Sequence, residues 1–241
     1  VAAMVTGERR GSARTAVVWD ALGPILEGGA RHVVDIGGGT GGFAVRIAEG
    51  GHRVTVVEPS PDALAALGRR AREAGVDVVG HQGDVSDLPA LVGADSADVV
   101  LCHGVLEVVE PADALARIRE VLRPGGTLSL LVANRHAAVV ARAMAGHFHQ
   151  AHELIDDAAP AARGRGPAAR RYTADELRDL LATAGFDVRA THAVRVFADL
   201  VPGSVLDLEP GSTAALTDLE RAVAERPEFL PLATQLHVLA G

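Results

Sequence analysis

The sequence predicts an α/β protein: a doubly wound, mostly parallel sheet with helices on both faces. Short β-rich runs alternate with amphipathic stretches, as such a sheet requires. The first run leads into a glycine-rich loop, VVDIGGGTGGF from Val33 to Phe43, and then a helix. In folds of this class, ligands settle at the carboxyl ends of the strands. The 241 residues are 48% hydrophobic, which argues against disorder and supplies a substantial core.

The elements follow in order. A first helix, roughly Ala13 to Glu27, lies within an N-terminal helical segment, residues 1–29. The runs HVVDI, RVTVVE, VDVVGH, ADVVLC and GTLSLLVA are five strands. Between them GGFAVRIAEG, SPDALAALGRRAREAG and PADALARIREVL are helices. Ser60-Pro61-Asp62 is a helix start, because Ser accepts from the first free N–H groups and Pro lacks one. RPGG after Leu122 ends a helix, since Pro cannot continue it and Gly tolerates the turn. After Ala133 the rhythm changes. Residues 134–171 form an insertion: an apolar, Ala-rich helix, then DDAAPAARGRGPAARR, a small, basic, Pro/Gly-punctuated stretch expected to be a mobile loop and lid. From Tyr172 the pattern resumes with the capped helix TADELRDLLATAGF, a long strand DVRATHAVRVFAD, a polar helix near Thr213 to Glu225 and a last strand TQLHVLAG. No internal repeat is visible, and a single domain spanning residues 1–241 is expected.

Composition excludes several chemistries. A formal charge of −8 opposes a broadly basic nucleic-acid surface, though not a local basic groove. The single cysteine, Cys102, excludes an intrachain disulfide framework and a thiolate metal cage. All 23 basic residues are arginine, so there is no lysine Schiff base and no P-loop lysine. His147, His149 and His152 in HFHQAH do not converge on one helix face, so no metal is expected. Trp19 and Phe148 are expected in the core. With no basic-then-apolar leader and no bilayer-length apolar run, the protein is expected to be soluble and cytoplasmic, without membrane partners.

The glycine loop admits two cofactors. Gly37, Gly39 and Gly42 spell G-x-G-x-x-G, a dinucleotide pattern; Asp35, Gly37, Gly39 and Gly41 spell D-x-G-x-G-x-G, an S-adenosylmethionine pattern. Both need close backbone approach, and Glu58 at the end of the second strand can accept from two ribose hydroxyls in either case. Three further features tip the balance. Gln82, Gly83 and Asp84 end the third strand, where an adenine would lie, and Asp84 either accepts from an exocyclic amine or caps the next helix. His103 sits just past the fourth strand, and VLRPGGTLSL joins a helix, a turn and a fifth strand.

In this order the motifs of residues 33–133 resemble the class I S-adenosylmethionine-dependent methyltransferases. That resemblance implies a Rossmann-like, seven-stranded sheet whose last strand, TQLHVLAG, runs antiparallel. A narrower resemblance covers nearly the whole chain. RGSARTAVVWDAL, LCHGVLEVVEPADAL, LSLLVANRHAAVVARAMAGHFHQA and HAVRVFADL are similar to the tRNA 5-carboxymethoxyuridine methyltransferase family. It implies S-adenosyl-L-methionine at Arg14, Gly37, Gly38, Glu58, Gln82, Gly83 and His103, beside Asp35, Gly39 and Asp84 of the motif. It also implies tRNA contact through Arg163, Arg165, Arg170 and Arg171, and methylation of a carboxylate on a modified wobble uridine.

A carboxylate acceptor is ionised at pH 7 and needs no general base. Arg14 is the candidate for the cofactor's own carboxylate, as a bidentate fork. His103, Asn134 and Arg195 are the catalytic candidates; Arg135, His136, His147 and Tyr172 join Asn134 and Arg195 as acceptor contacts. A small-molecule O- or N-methyltransferase, a cofactor-binding regulator without catalysis and a nicotinamide dehydrogenase are the alternatives, because one fold hosts all of these.

Overall fold

The computed structural model describes residues 2–156, 169–208 and 211–241. In chain order they form α1 (Ala2–Leu26), β1 (His32–Ile36), α2 (Gly42–Glu49), β2 (Arg53–Glu58), α3 (Pro61–Ala74) and β3 (Val78–Gln82). Then come α4 (Leu88–Val92), β4 (Ala97–His103), α5 (Pro111–Val121), β5 (Leu122–Ala133), α6 (Arg135–Met144) and α7 (Phe148–Asp156). The last elements are α8 (Ala174–Thr183), β6 (Val188–Val194), α9 (Gly203–Leu208), α10 (Ser212–Val223) and β7 (Gln235–Ala240). The strands make one seven-stranded sheet in the order β3-β2-β1-β4-β5-β7-β6. Pairs β1–β2, β1–β4, β2–β3 and β4–β5 are parallel. At the other edge Asp187 and Gly241 exchange N–H···O bonds of 3.0 and 3.1 Å, while Thr234 N–H donates to the Arg195 carbonyl. That pairing runs antiparallel, so the last strand is reversed as the motif order implied.

The chain divides into two compact units. One comprises Ile25–Leu131, Arg178–Arg189 and Val238–Gly241. Every residue of its β1 is buried, so HVVDI reads as a continuous run and not an alternating one. β3 lies at the sheet edge and is largely exposed, which explains its Gly and His. Ser60 Oγ caps α3 by accepting from Ala63 N–H, with Pro61 in the first turn. The other unit comprises Val1–Pro24, Val132–Leu177 and Ala190–His237. Its buried clusters join Ala193, Val196, Val223 and Ala233, and Ala13, Ala198 and Leu216.

Several sequence expectations need correction. The first helix begins eleven residues earlier than expected, at Ala2. The RPGG segment lies within β5, not in a separate turn: Leu122 pairs with Ala97 and Thr127 with Val99, so five steps on β5 face two on β4, a bulge. Gly126 belongs there because a Cβ would lie 2.9 Å from the Arg123 carbonyl oxygen. The Ala-rich helix after Asn134 is two helices, broken at Gly146, whose φ is 78°. The expected strand from Asp187 to Asp199 stops at Val194, because Arg195 turns into the left-handed region at φ 62°. Phe148 is not core: at the first position of α7 it is 70% exposed, whereas Trp19 is half-buried.

Candidate functional site

The parallel register brings most of the sequence-predicted cofactor residues to one edge of the sheet. Ile36 pairs with Val57 on β2 and Cys102 on β4; Glu58 pairs with Gln82; His103 pairs with Leu131. The residues one step beyond or at these ends therefore sit in a row: Gly37, Glu58, Gln82 and His103. This is the carboxyl edge, where loops leave the strands.

The loop after β1 is a left-handed turn series. Gly37, Gly39 and Gly41 have φ of 64°, 54° and 82°, values that L side chains avoid. A Cβ on Gly37 would come within 2.7 Å of Val105 Cγ2, and one on Gly38 within 2.6 Å of Asp35 Oδ2. On Gly39 it would meet nothing nearer than the Gly37 carbonyl oxygen at 4.0 Å, so that glycine borders open space. Glu58, buried, accepts from Gly39 N–H at 3.0 Å and Ser60 N–H at 2.9 Å, one bond on each oxygen. Each oxygen keeps a second lone pair. Asp35 is buried beneath Gly38, and desolvation, with a lesser contribution from the Glu58 charge, pushes its pKa up to about 7. Gln82 Nε2 donates to the Pro59 carbonyl at 3.4 Å, and Gly83 N–H donates to the Glu58 carbonyl at 3.3 Å.

Asp84 caps the short 3₁₀ turn Val85–Asp87. Its Oδ1 accepts from Ser86 N–H and Ser86 Oγ, at 2.8 and 2.6 Å, and these bonds lower its pKa. That is the helix-capping alternative named above, fulfilled on one carboxylate oxygen. His103 Nε2 lies 2.9 Å from Ser129 Oγ, and its ring meets Phe43 edge-on with centroids 4.9 Å apart. Burial lowers its pKa to about 4, so the imidazole is neutral at pH 7. Burial pushes the Cys102 thiol up to about 12, which removes it as a nucleophile.

The remaining candidates lie in the other unit. Asn134 is 2% exposed and N-caps α6: its Oδ1 accepts from His136 N–H, while its amide donates to the Leu230 and Ala233 carbonyls at 2.7 Å each. Arg135 is buried against Glu176 at 2.6 Å. Tyr172 is buried, and its backbone bridges Ala133 and Arg135. His136 is exposed. Arg14 and Arg195 both contact Asp199, at 3.0 and 2.6 Å. Arg163 and Arg165 lie outside the described residues. A cavity of about 660 Å³ opens in this unit. Ala137, Val140, Met144, Phe197, Leu200 and Leu232 give it an apolar lining, and Arg142 and Arg171 add cationic groups beside His147.

Sequence reasoning missed Asp199, Arg142 and Glu220. Glu220 is fully buried on α10 and accepts from Val196, Phe197 and Ala198 N–H at 3.0, 2.8 and 2.7 Å, holding the turn that walls the cavity. Nothing local distinguishes Glu220 from the other acids of a polar helix. Asp199 carried no clearer cue: it stands four residues after Arg195, but that ion-pair spacing belongs to helices and the stretch reads as a strand.

The glycine cradle and the Glu58 carboxylate fit S-adenosyl-L-methionine: the backbone can approach a ligand at Gly39, and Glu58 retains acceptor capacity for ribose hydroxyls. Residues 33–126 match the family described as methyltransferase domain. Over 252 aligned residues, 98% of this chain and 90% of the other, the sequence is 29% identical to the tRNA 5-carboxymethoxyuridine methyltransferase of Escherichia coli strain K12. An S-adenosylmethionine-dependent methyltransferase from Mesorhizobium loti shares the fold with a TM-score of 0.60, at 20% identity, over 93% of this chain and 97% of its own. Geranyl diphosphate C-methyltransferase from Streptomyces coelicolor A3(2) does so with a TM-score of 0.60, at 17% identity, over 93% and 77%. In sequence and fold the chain is similar to the S-adenosylmethionine-dependent methyltransferases. S-adenosylmethionine, not a dinucleotide, is the cofactor, and the regulator without catalysis gives way to an enzyme. Among the described residues, no helix is long and apolar enough to cross a membrane.

Proposed function

We propose that the chain transfers a methyl group to a carboxylate oxygen, with the carboxymethoxy group of a modified tRNA wobble uridine as acceptor. The observation that carries this is the state of His103. It is the titratable side chain at the end of β4, and with a pKa of about 4 it is a feeble base at neutral pH. An acceptor that arrives already ionised needs none, and a carboxylate, with a pKa of about 4 in water, is such an acceptor. The similarity to the tRNA enzyme along 98% of this chain supports the RNA assignment. A tRNA acceptor would place the activity in the cytoplasm.

When bound, S-adenosylmethionine supplies an electrophilic methyl group on a sulfonium. The protein's part is position and environment. Glu58 holds ribose hydroxyls with the lone pairs its backbone bonds leave over. Gly37 to Gly39 let the main chain come close. His103, neutral and oriented by Ser129, offers a hydrogen bond and not a proton sink. Arg142 and Arg171 draw an anionic acceptor to the cavity, whose walls are mainly apolar. Water favours separated charges over a transition state in which anion and cation neutralise, so a dry, dipole-lined site lowers the barrier.

The cavity also favours a second reading, methylation of a small molecule on oxygen or nitrogen. At about 660 Å³ with mostly apolar walls it suits a compact acceptor, and the charge of −8 opposes a polyanion. Methyl-labelled cofactor, supplied with total tRNA or with a small-molecule extract, separates the two. Label entering one tRNA nucleoside and released by mild alkali, as a methyl ester must be, is expected. Label in the small-molecule fraction with none in RNA would refute the tRNA acceptor.

A further inference from the structure

We propose that Phe148 is a stacking platform for an unpaired RNA base, set beside the cavity that takes the acceptor. The side chain stands at the first position of α7 and is 70% exposed. An aromatic ring gains much from burial, so one left in water, in a chain with only 3% aromatic residues, needs a reason. No ring among the described residues packs against it. Other positions hold α7 in place: Ala151 and Leu154 are buried. The outer stripe of the helix runs Phe148, His152, Ile155, the i, i+4, i+7 spacing of one face, and all three are exposed. Before the break at Gly146, Met144 is 75% exposed and lines the cavity; after it His147 lines the cavity, and Phe148 follows directly. The platform thus adjoins the cavity mouth, and all of these residues belong to one compact unit.

Charge selects the occupant. The cavity beside the platform carries Arg142 and Arg171, and neither forms an ion pair among the described residues. Arg142 donates to Gln150 Oε1 at 3.0 Å, a neutral amide two residues past Phe148, so its charge is uncompensated there. Asp199, the acid in the cavity lining, is itself paired with Arg14 and Arg195. A flat apolar surface next to uncompensated guanidinium groups fits a single nucleotide strand, whose bases stack on rings while its phosphates meet cations. A second copy of this chain fits less well: a two-fold contact on this face would bring its Arg142 and Arg171 towards the same cations. A wobble uridine is unpaired and has unpaired neighbours in its loop. With that base in the cavity, a neighbour is free to lie on Phe148. The placement rests on the tRNA reading given above.

The test is the affinity of the full chain for purified tRNA, measured by filter binding for Phe148→Ala, Phe148→Leu and Phe148→Tyr. Losing one stacked base should weaken Phe148→Ala by about 5- to 150-fold. Phe148→Leu keeps apolar bulk without a ring and should lose nearly as much. Phe148→Tyr keeps the ring and should stay within about twofold of the parent protein. Should Phe148→Ala not fold, the comparison of the leucine and tyrosine variants decides alone. Calorimetry with S-adenosylmethionine should give the parent affinity in all three, which separates loss of the platform from loss of the fold. If Phe148→Ala or Phe148→Leu binds tRNA like the parent protein, the platform is refuted, while methyl label entering tRNA would keep the tRNA reading. If the parent protein neither binds nor labels tRNA, that reading fails and the platform falls with it. A parent dimer in sedimentation that Phe148→Ala dissociates, with tRNA affinity unchanged, would make this face a self-contact and overturn the proposal.

Discussion

Gly39→Ala isolates what the glycine loop does for the cofactor. At φ 54° an alanine is strained, and the left-handed conformation costs about 1–2 kcal/mol. The added methyl strikes nothing: its nearest neighbour is the Gly37 carbonyl oxygen at 4.0 Å. Gly51 supplies the control. It has φ 84° and open space around its would-be Cβ, but it lies in the turn between α2 and β2, at the opposite end of the strands. Both alanine variants should therefore lose the same stability. For a chain of this length that is a fall in Tm of about 2–8 °C. Only Gly39→Ala places a methyl where the cofactor must approach, and it should weaken cofactor binding by about tenfold or more, or about 1.4 kcal/mol. Thermal unfolding by circular dichroism and calorimetry with S-adenosylmethionine measure the two quantities on the same samples. If Gly39→Ala binds like the parent protein, or Gly51→Ala loses affinity to the same degree, the cradle is misplaced. Gly37 is a poorer probe, since a Cβ there collides with Val105 of the protein itself.

Other outcomes follow from the same geometry. Glu58→Gln keeps one acceptor oxygen where two now serve Gly39 and Ser60, so cofactor affinity should fall about 10- to 100-fold, checked by equilibrium dialysis. The Asp35 carboxyl has a folded pKa of about 7, above its unfolded value, so it retains its proton in the folded state; stability should decline as pH rises from about 4 to 7. Asp35→Asn removes that slope, and its Tm relative to the parent should rise between pH 5 and 8; a constant difference would count against the shifted pKa. With His103 titrating near pH 4, kcat/KM should show no limb from this residue between pH 6 and 8, and a limb near 6.5 that disappears in His103→Gln would contradict its neutral state. Glu220→Gln removes an acceptor shared by three backbone N–H groups, which should cost about 1–3 kcal/mol and be visible in chemical denaturation.

The edge proposed for the cofactor was legible because its information is local. Glycines at positive φ, a carboxylate at a strand end and a capped helix are each dictated by a few consecutive residues, and parallel register then lines up the strand ends without further instruction. The other unit was opaque for the opposite reason. Asp199 gains its partners from Arg14, far away in sequence, and Glu220 from a turn more than twenty residues before it. The strand expected to run to Asp199 ended early because its β-rich composition says nothing of the left-handed step at Arg195, which is held by the Glu220 bonds that follow it. Phe148 was misjudged by the same logic: hydrophobicity predicts that a side chain prefers burial, but not that the break at Gly146 sets it on an exposed first turn.

Several carboxylates share a chemical role. With 31 acidic residues and 23 basic ones, ion pairing cannot employ every carboxylate, and the structure assigns several to backbone N–H groups instead. Glu58 takes two in the cofactor loop, Asp84 and Asp87 form a reciprocal cap after β3, Glu176 takes Thr173 at the start of α8, and Glu220 takes three at the cavity wall. A carboxylate so used fixes a loop without a long, entropically costly arginine, and it leaves guanidinium groups available for anions. Asp199 differs in pairing with two arginines, Arg14 and Arg195, and it also lines the cavity. If the acceptor is the anion proposed above, this acidic protein has to shield it from its own negative charge. Binding carboxylates to main-chain donors, with Arg142 and Arg171 set at the cavity, would serve that separation within a chain of net charge −8.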